Sequence, residues 1–272
     1  MTLDFTAPTA TADLVYSQVD KLYRAESFTV TATFGEAMAA TPTITLNDGG
    51  GANNVTGAQF TSGFGTTWVY TRLVSGGDDG LFTATVSGAD LAGNTVTGGA
   101  PGQNAFTIDT MAPGVALTYS KLVGYKGNDV LVITATFTEA ATATPTISIA
   151  GGTVGGVTVS GATMGDGADA NAATWVYATE IYVTDAEGSR TVTIAGTDLA
   201  GNAGNAATNA TFAIDNTAPD VALTYNKSAG YGRADSLIIT ATFTEAATAM
   251  PTISVAGGTV GGGTVSGATM GD

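Results

Sequence analysis

The chain has 272 residues, with 8 basic and 23 acidic side chains, a net charge of −15 and a pI near 4.1. It contains neither cysteine nor histidine, which excludes disulfides, thiolate and imidazole metal sites and the commonest general base. So acidic a surface repels nucleic acid and anionic membranes and attracts cations, while 44% hydrophobic content separates the chain from a disordered acidic tail.

In chain order the first landmark is a five-residue box, D-F-T-A-P at Asp4–Pro8. It returns as D-T-M-A-P at Asp109–Pro113 and as D-N-T-A-P at Asp215–Pro219, at spacings of 105 and 106 residues. Self-similarity at a fixed period marks a tandem array. The division predicted from it is residues 1–3 as the tail of a preceding repeat, 4–108 as repeat 1, 109–214 as repeat 2, and 215–272 as the N-terminal half of repeat 3. The sequence therefore reads as a window on a longer array. It is expected to continue past Asp272 with a segment like Thr174–Asp215, the alternative being strands supplied by a neighbouring molecule. No signal peptide stands at Met1, and no apolar run approaches the roughly 18–20 residues of a membrane span, so no membrane insertion is expected within this window.

Inside each repeat the hydrophobic period is two. Phe28, Val30, Ala32 and Phe34 share one face, with Thr29, Thr31 and Thr33 on the other. Leu131, Ile133, Ala135 and Phe137 repeat the pattern, as do Leu237, Ile239, Ala241 and Phe243. Apolar-in and threonine-out is the signature of a half-buried antiparallel strand. Repeat 2 predicts seven strands, at about 115–120, 129–138, 145–150, 157–162, 173–183, 189–196 and 209–214, separated by Gly-, Asp- and Asn-rich turns. No stretch holds a helical period for three turns. The fold class expected is all-β: tandem immunoglobulin-like β-sandwiches of about seven strands each, the third one incomplete.

If the strands run alternately up and down, the connections after the second, fourth and sixth strands share one end with the start of the first. That end faces the preceding repeat. It gathers Asp4, Glu36, Asp90 and Asn94 in repeat 1, and Asp109, Glu139, Asp198 and Asn202 in repeat 2. Asp215 and Glu245 are the matching residues of repeat 3. Carboxylates that converge without a basic partner repel one another, and a hard divalent cation relieves this. Calcium, which takes six to eight oxygens from carboxylates, amides and carbonyls, is the expected cofactor.

Other polar and aromatic groups carry blander readings. Asp166, Asp169 and Asn171 are expected to lie in a plain loop, and Asp78, Asp79, Asp185 and Glu187 in solvated turns. Trp68, Tyr70, Trp175 and Tyr177 are expected in the core rather than on a carbohydrate-stacking platform. Tyr23, Tyr125 and Tyr231 recur and pack either locally or at repeat junctions. There is no phosphate-binding loop and no nucleophile–base set, so catalysis is not expected here.

Three boxes carry a family resemblance. They are the closing F-x-I-D-x-x-A-P (Phe106–Pro113 and Phe212–Pro219), T-F-T-E-A (Thr136–Ala140 and Thr242–Ala246) and D-L-A-G-N (Asp90–Asn94 and Asp198–Asn202). In these the chain resembles bacterial immunoglobulin-like tandem repeats of large cell-surface and extracellular proteins, of the adhesin-stalk, biofilm or surface-layer type. The resemblance implies an extracellular stalk, fibre or coat whose partners are neighbouring repeats of the same chain and laterally associated copies. The alternative is that the domains themselves recognise a glycan or a protein of a host or neighbouring cell.

Overall fold

The computed structural model describes all residues except 1–2, 10–13, 50–52, 97–103, 123, 168–171, 248 and 272. It divides into two compact units, Met1–Asp215 and Asn216–Asp272. Every regular element among the described residues is a strand.

The first unit holds two complete repeats. Repeat 1 comprises β1 (Val15–Tyr16), β2 (Leu22–Tyr23), β3 (Ser27–Thr33), β4 (Thr43–Asn47), β5 (Val55–Gln59), β6 (Ser62–Phe64), β7 (Thr67–Leu73), β8 (Gly80–Ser87) and β9 (Ala105–Ile108). They form two sheets, ordered β1-β3-β7-β6 and β2-β9-β8-β4-β5. All pairs are antiparallel except β2 with β9. Repeat 2 comprises β10 (Val115–Tyr119), β11 (Val130–Phe137), β12 (Thr146–Ala150), β13 (Ala162–Thr163), β14 (Gly165–Asp166), β15 (Thr174–Glu180), β16 (Gly188–Ala195) and β17 (Thr211–Ile214). Its sheets are β10-β11-β15-β14 and β13-β12-β16-β17. Both repeats are therefore two-sheet sandwiches, with β1-β3-β7-β6 in repeat 1 and β10-β11-β15-β14 in repeat 2 forming the matching layer, as in immunoglobulin-like domains.

The alternation read from sequence is the alternation that builds the core. Phe28, Val30 and Ala32 of β3 are buried against Ile44 and Leu46 of β4 and Phe82 and Ala84 of β8. Leu131, Ile133, Ala135 and Phe137 of β11 meet Ile147, Ile149, Val192 and Ile194 in the same way. Each large apolar side chain so buried contributes about 1.5–3 kcal/mol. Trp175 is a core residue and Trp68 is packed against the core; their indole N–H groups donate to the carbonyls of Ala172 and Gly65, each at 3.0 Å. Tyr23 and Tyr125 are also core, and their hydroxyls accept the backbone N–H of Gln18 and Lys121 at 3.1 and 3.0 Å.

The predicted fourth strand, at about 157–162, differs. Val157 makes only an isolated bridge to Val154, across a Gly155-Gly156 turn with both φ values positive. Regular pairing resumes at β13, which borders β12, and passes to β14, which borders β15. The segment switches layers there, and the glycines that allow the turn also interrupt the ladder.

The second unit contains β18 (Val221–Tyr225) paired with β19 (Ile239–Phe243), and β20 (Thr252–Val260) paired with β21 (Gly263–Thr269). The registers of these pairs match those of β10–β11 and β12–β13 in repeat 2.

Candidate metal centres

The D-L-A-G-N box folds the same way in both complete repeats. Asp90 Oδ1 accepts the backbone N–H groups of Ala92 and Asn94, both at 2.8 Å, and its Oδ2 accepts the Asn94 side-chain amide at 2.9 Å. Asp198 accepts the Asn202 backbone and side-chain N–H groups, both at 2.9 Å. The turn closes on Gly93 and Gly201, whose φ values of +94° and +89° favour glycine. Asp90 and Asp198 are consequently buried, 2% and 1% exposed. Burial pushes the Asp90 carboxyl up, but the donors from Asn94, Ala92 and Gly93 outweigh it and hold it below the usual range.

The asparagine also reaches the D-x-x-A-P box. The Asn202 side-chain amide donates to the Asp109 carbonyl at 2.9 Å, and that of Asn94 to the Asp4 carbonyl at 3.4 Å. Asp109 and Asp4 each accept a backbone N–H two residues on, from Met111 at 3.1 Å and Thr6 at 2.9 Å. Asn94 and Asn202 thus brace the two boxes against each other. Glu36 and Glu139, from the connections after β3 and β11, complete the groups.

The result is two clusters, Asp4–Glu36–Asp90 and Asp109–Glu139–Asp198, in each of which one carboxylate oxygen per residue lies within 4.8 Å of the others. Oxygens that share one calcium at 2.3–2.6 Å are at most about 4.6–5.2 Å apart, so the spacing fits. None of the four ion pairs among the described residues involves these six side chains. Burial first, then Asp109 and Asp198, raises the Glu139 pKa; burial, Asp4 and Asp90 do the same to Glu36. The groups are held in mutual repulsion, with donors committed to the aspartates only. Asp215 ends the first unit, its N–H bonded to the Tyr125 carbonyl at 2.8 Å, and Glu245 lies in the second unit.

The end of repeat 1 runs directly into the second cluster. The Asp109 N–H donates to the Tyr23 carbonyl at 2.8 Å. Thr110 donates its N–H and hydroxyl to Asp79. Arg24 donates to the Gly201 carbonyl at 2.7 Å.

Three acidic side chains read as solvated prove structural. Asp79 caps the junction, and Asp78 pairs with Arg72 at 3.1 Å. Asp185 is buried and accepts the N–H groups of Gly155, Gly156 and Tyr182 at 2.8–2.9 Å. The signal was the glycine pair, whose bare backbone lets a carboxylate approach. Asp166 lies on β14, whereas Asp169 and Asn171 fall outside the described residues.

No protein-family model matches the chain, and no curated protein matches it. Among solved structures it is similar to the FN1–FN3 domains of chicken CNTN1, at 12% identity and a TM-score of 0.30, over 90% of this chain and 78% of that one. The strand order and register define the class: tandem immunoglobulin-like β-sandwich repeats. No helix among the described residues is long and apolar enough to cross a membrane.

Proposed function

We propose that this chain is the structural repeat region of a long secreted cell-surface protein, a stalk, fibre or coat, whose junctions are stiffened by calcium at Asp4–Glu36–Asp90 and Asp109–Glu139–Asp198. One observation carries the reading: the same three-carboxylate cluster recurs in both complete repeats, and in repeat 2 it lies where repeat 1 runs in. A cation there ties the start of a repeat (Asp109), the connection after its second strand (Glu139) and its D-L-A-G-N turn (Asp198) into one body. Repeat arrays gain stability from nearest neighbours, so stiffness at each junction sets the stiffness of the whole. Lateral association of copies is part of the same proposal, and catalysis is not.

The reading in which the domains bind glycans has less support. Trp175 is buried and Trp68 is packed against the core, and each spends its indole N–H on a backbone carbonyl, of Ala172 and Gly65.

The test is thermal unfolding and small-angle scattering with calcium and with chelator. Calcium at a hundredfold excess over its dissociation constant stabilises the native state by about 2.7 kcal/mol. The proposal expects a higher melting temperature and a narrower distribution of dimensions with calcium. Identical melts and identical scattering in the two conditions would refute it.

A further inference from the structure

Charge is sorted by position in this fold. The chain carries 8 basic and 23 acidic side chains, yet within the strands only Arg72, Asp166, Glu180 and Arg190 are charged. Arg72, Asp166 and Glu180 stand on β7, β14 and β15, which belong to the same layer of their two sandwiches. Arg190, on β16, is the one charged strand residue of the other layer, and it is buried opposite Phe212. Every other charge sits in a connection. Soluble surfaces ordinarily intersperse both signs over their faces.

One layer of each complete repeat therefore shows solvent an uncharged face. In repeat 1 its outward positions include Thr43 and Thr45 of β4 and Leu81, Thr83 and Thr85 of β8, alternating with buried Ile44, Leu46, Phe82 and Ala84. In repeat 2 the matching residues are Thr146 and Ser148 of β12 and Ser189, Thr191 and Thr193 of β16. Register sets Thr45 opposite Thr85, and Ser148 opposite Thr193. Thr45 Oγ1 and Ser148 Oγ accept the N–H groups of Gly57 and Gly161 at 3.0 and 2.9 Å, so part of the face's polarity is turned into the sheet.

We infer that this face, the outward surface of β9-β8-β4 in repeat 1 and of β12-β16-β17 in repeat 2, is where copies of this chain pack side by side. At a net charge of −15, like molecules repel, and an uncharged face is where they approach at the least electrostatic cost. Threonine methyls of two such faces interdigitate as the layers of stacked sheets do. The choice of a second copy follows from size and spacing. Three strands about 4.8 Å apart, with five residues of about 3.4 Å each, cover roughly 250 Å². A stable interface takes about 800 Å² per partner, so one face holds a partner weakly and the contact must recur. The D-x-x-A-P boxes return at 105 and 106 residues, and a second copy brings the same face at the same interval. Each contact then raises the effective concentration of the next, a gain closed to a partner without that interval. The inference rests on the proposed lateral association and not on the carboxylate clusters.

The test is sedimentation velocity of the intact 272-residue chain over a concentration series into the millimolar range, in chelator, so that calcium takes no part. Reversible self-association is expected. It should strengthen as salt rises from about 0.02 to about 0.5 M, because screening removes the repulsion between connections while the face has no ion pair to lose. Thr85→Glu combined with Thr193→Glu should weaken it at least about tenfold. Thr71→Glu combined with Ala178→Glu, outward on the other layer, should leave it within about threefold. Melts of both pairs are run alongside, and if the first pair does not fold, Thr83→Glu with Thr191→Glu carries the same expectation. Equal losses in the two pairs, no loss in the first, or association that weakens with salt overturns the inference and leaves lateral association to another surface. A monomer at every concentration and salt overturns lateral association as well, and the calcium reading stands apart from both.

Discussion

Arg24 of repeat 1 donates from Nη1 to the carbonyl of Gly201 in repeat 2 at 2.7 Å. The glycine sits at φ +89° in the D-L-A-G-N turn, and its N–H donates to the Asp198 carbonyl at 3.2 Å. One repeat thereby steadies the turn that carries the buried carboxylate of the next. The residue after the matching tyrosine in repeat 2 is also basic, Lys126.

Arg24→Ala should cost little global stability, about 1 kcal/mol or less, because the hydrogen bond is exposed. Its effect should appear at the junction. Calcium affinity at Asp109–Glu139–Asp198 should fall by roughly threefold, and affinity at Asp4–Glu36–Asp90 should not change. Calorimetric titration resolving the two clusters checks this.

The raised pKa values of Glu36 and Glu139 set a pH dependence. A carboxyl whose pKa is higher in the native than in the unfolded state binds its proton more tightly when folded. In chelator, the repulsion is carried in full above the raised value. Stability should rise as pH falls through that value and level off near the unfolded glutamate value of about 4.3. With calcium the trend inverts, because protons compete with the ion, and the calcium-dependent increment should fade over the same window. Glu139→Gln should stabilise the calcium-free protein at neutral pH and reduce its response to calcium. Paired melts from neutral pH down to about 4.3 decide the sign.

Arg190 occupies the place that Phe82 holds in repeat 1: Phe82 stands opposite Phe106 on β9, and Arg190 opposite Phe212 on β17. Its guanidinium is fully buried and donates to the carbonyls of Ala186, Gly188 and Ser189, with Nε unpartnered. Arg190→Ala should cost about 3 kcal/mol or more, through an unfilled core position and three carbonyls stripped of their donor. A Phe or Met at this position should be far milder, because a buried cation is costly to hold. Chemical denaturation of the three variants checks the order.

Tyr125→Phe should cost about 1–2 kcal/mol, since the buried hydroxyl accepts the Lys121 N–H at 3.0 Å and meets Ser120 Oγ at 3.1 Å. Tyr231→Phe removes the matching hydroxyl from an exposed site and should cost less than about 0.5 kcal/mol. Melting of the two variants side by side checks the difference.

Much of this architecture was legible in the sequence because it obeys local rules. The alternation at Leu131–Phe137 fixes which face is buried, and the up-and-down order places Asp109, Glu139 and Asp198 at one end. The clustering followed from topology, with no knowledge of side-chain position. The layer switch at β13–β14 was not legible, because glycine allows several backbone paths and the sheet decides among them. Nor were the roles of Asp79 and Arg190, whose partners, Thr110 for the one and the carbonyls of Ala186, Gly188 and Ser189 for the other, leave no pattern in sequence; for Asp185 only the Gly155-Gly156 pair marks a close backbone approach. The bracing by Asn94 and Asn202 lies between these cases. The box shows the asparagine beside the aspartate, but only the fold shows its amide reaching the carbonyl of Asp4 or Asp109.

Isothermal titration of calcium onto the intact chain tests the central claim most directly. The account predicts two bound ions per chain, one per carboxylate cluster, falling to one in Asp198→Ala, with the remaining ion lost when Asp90→Ala is added. Absence of heat and of binding up to millimolar calcium, or a stoichiometry unchanged by both substitutions, would contradict it.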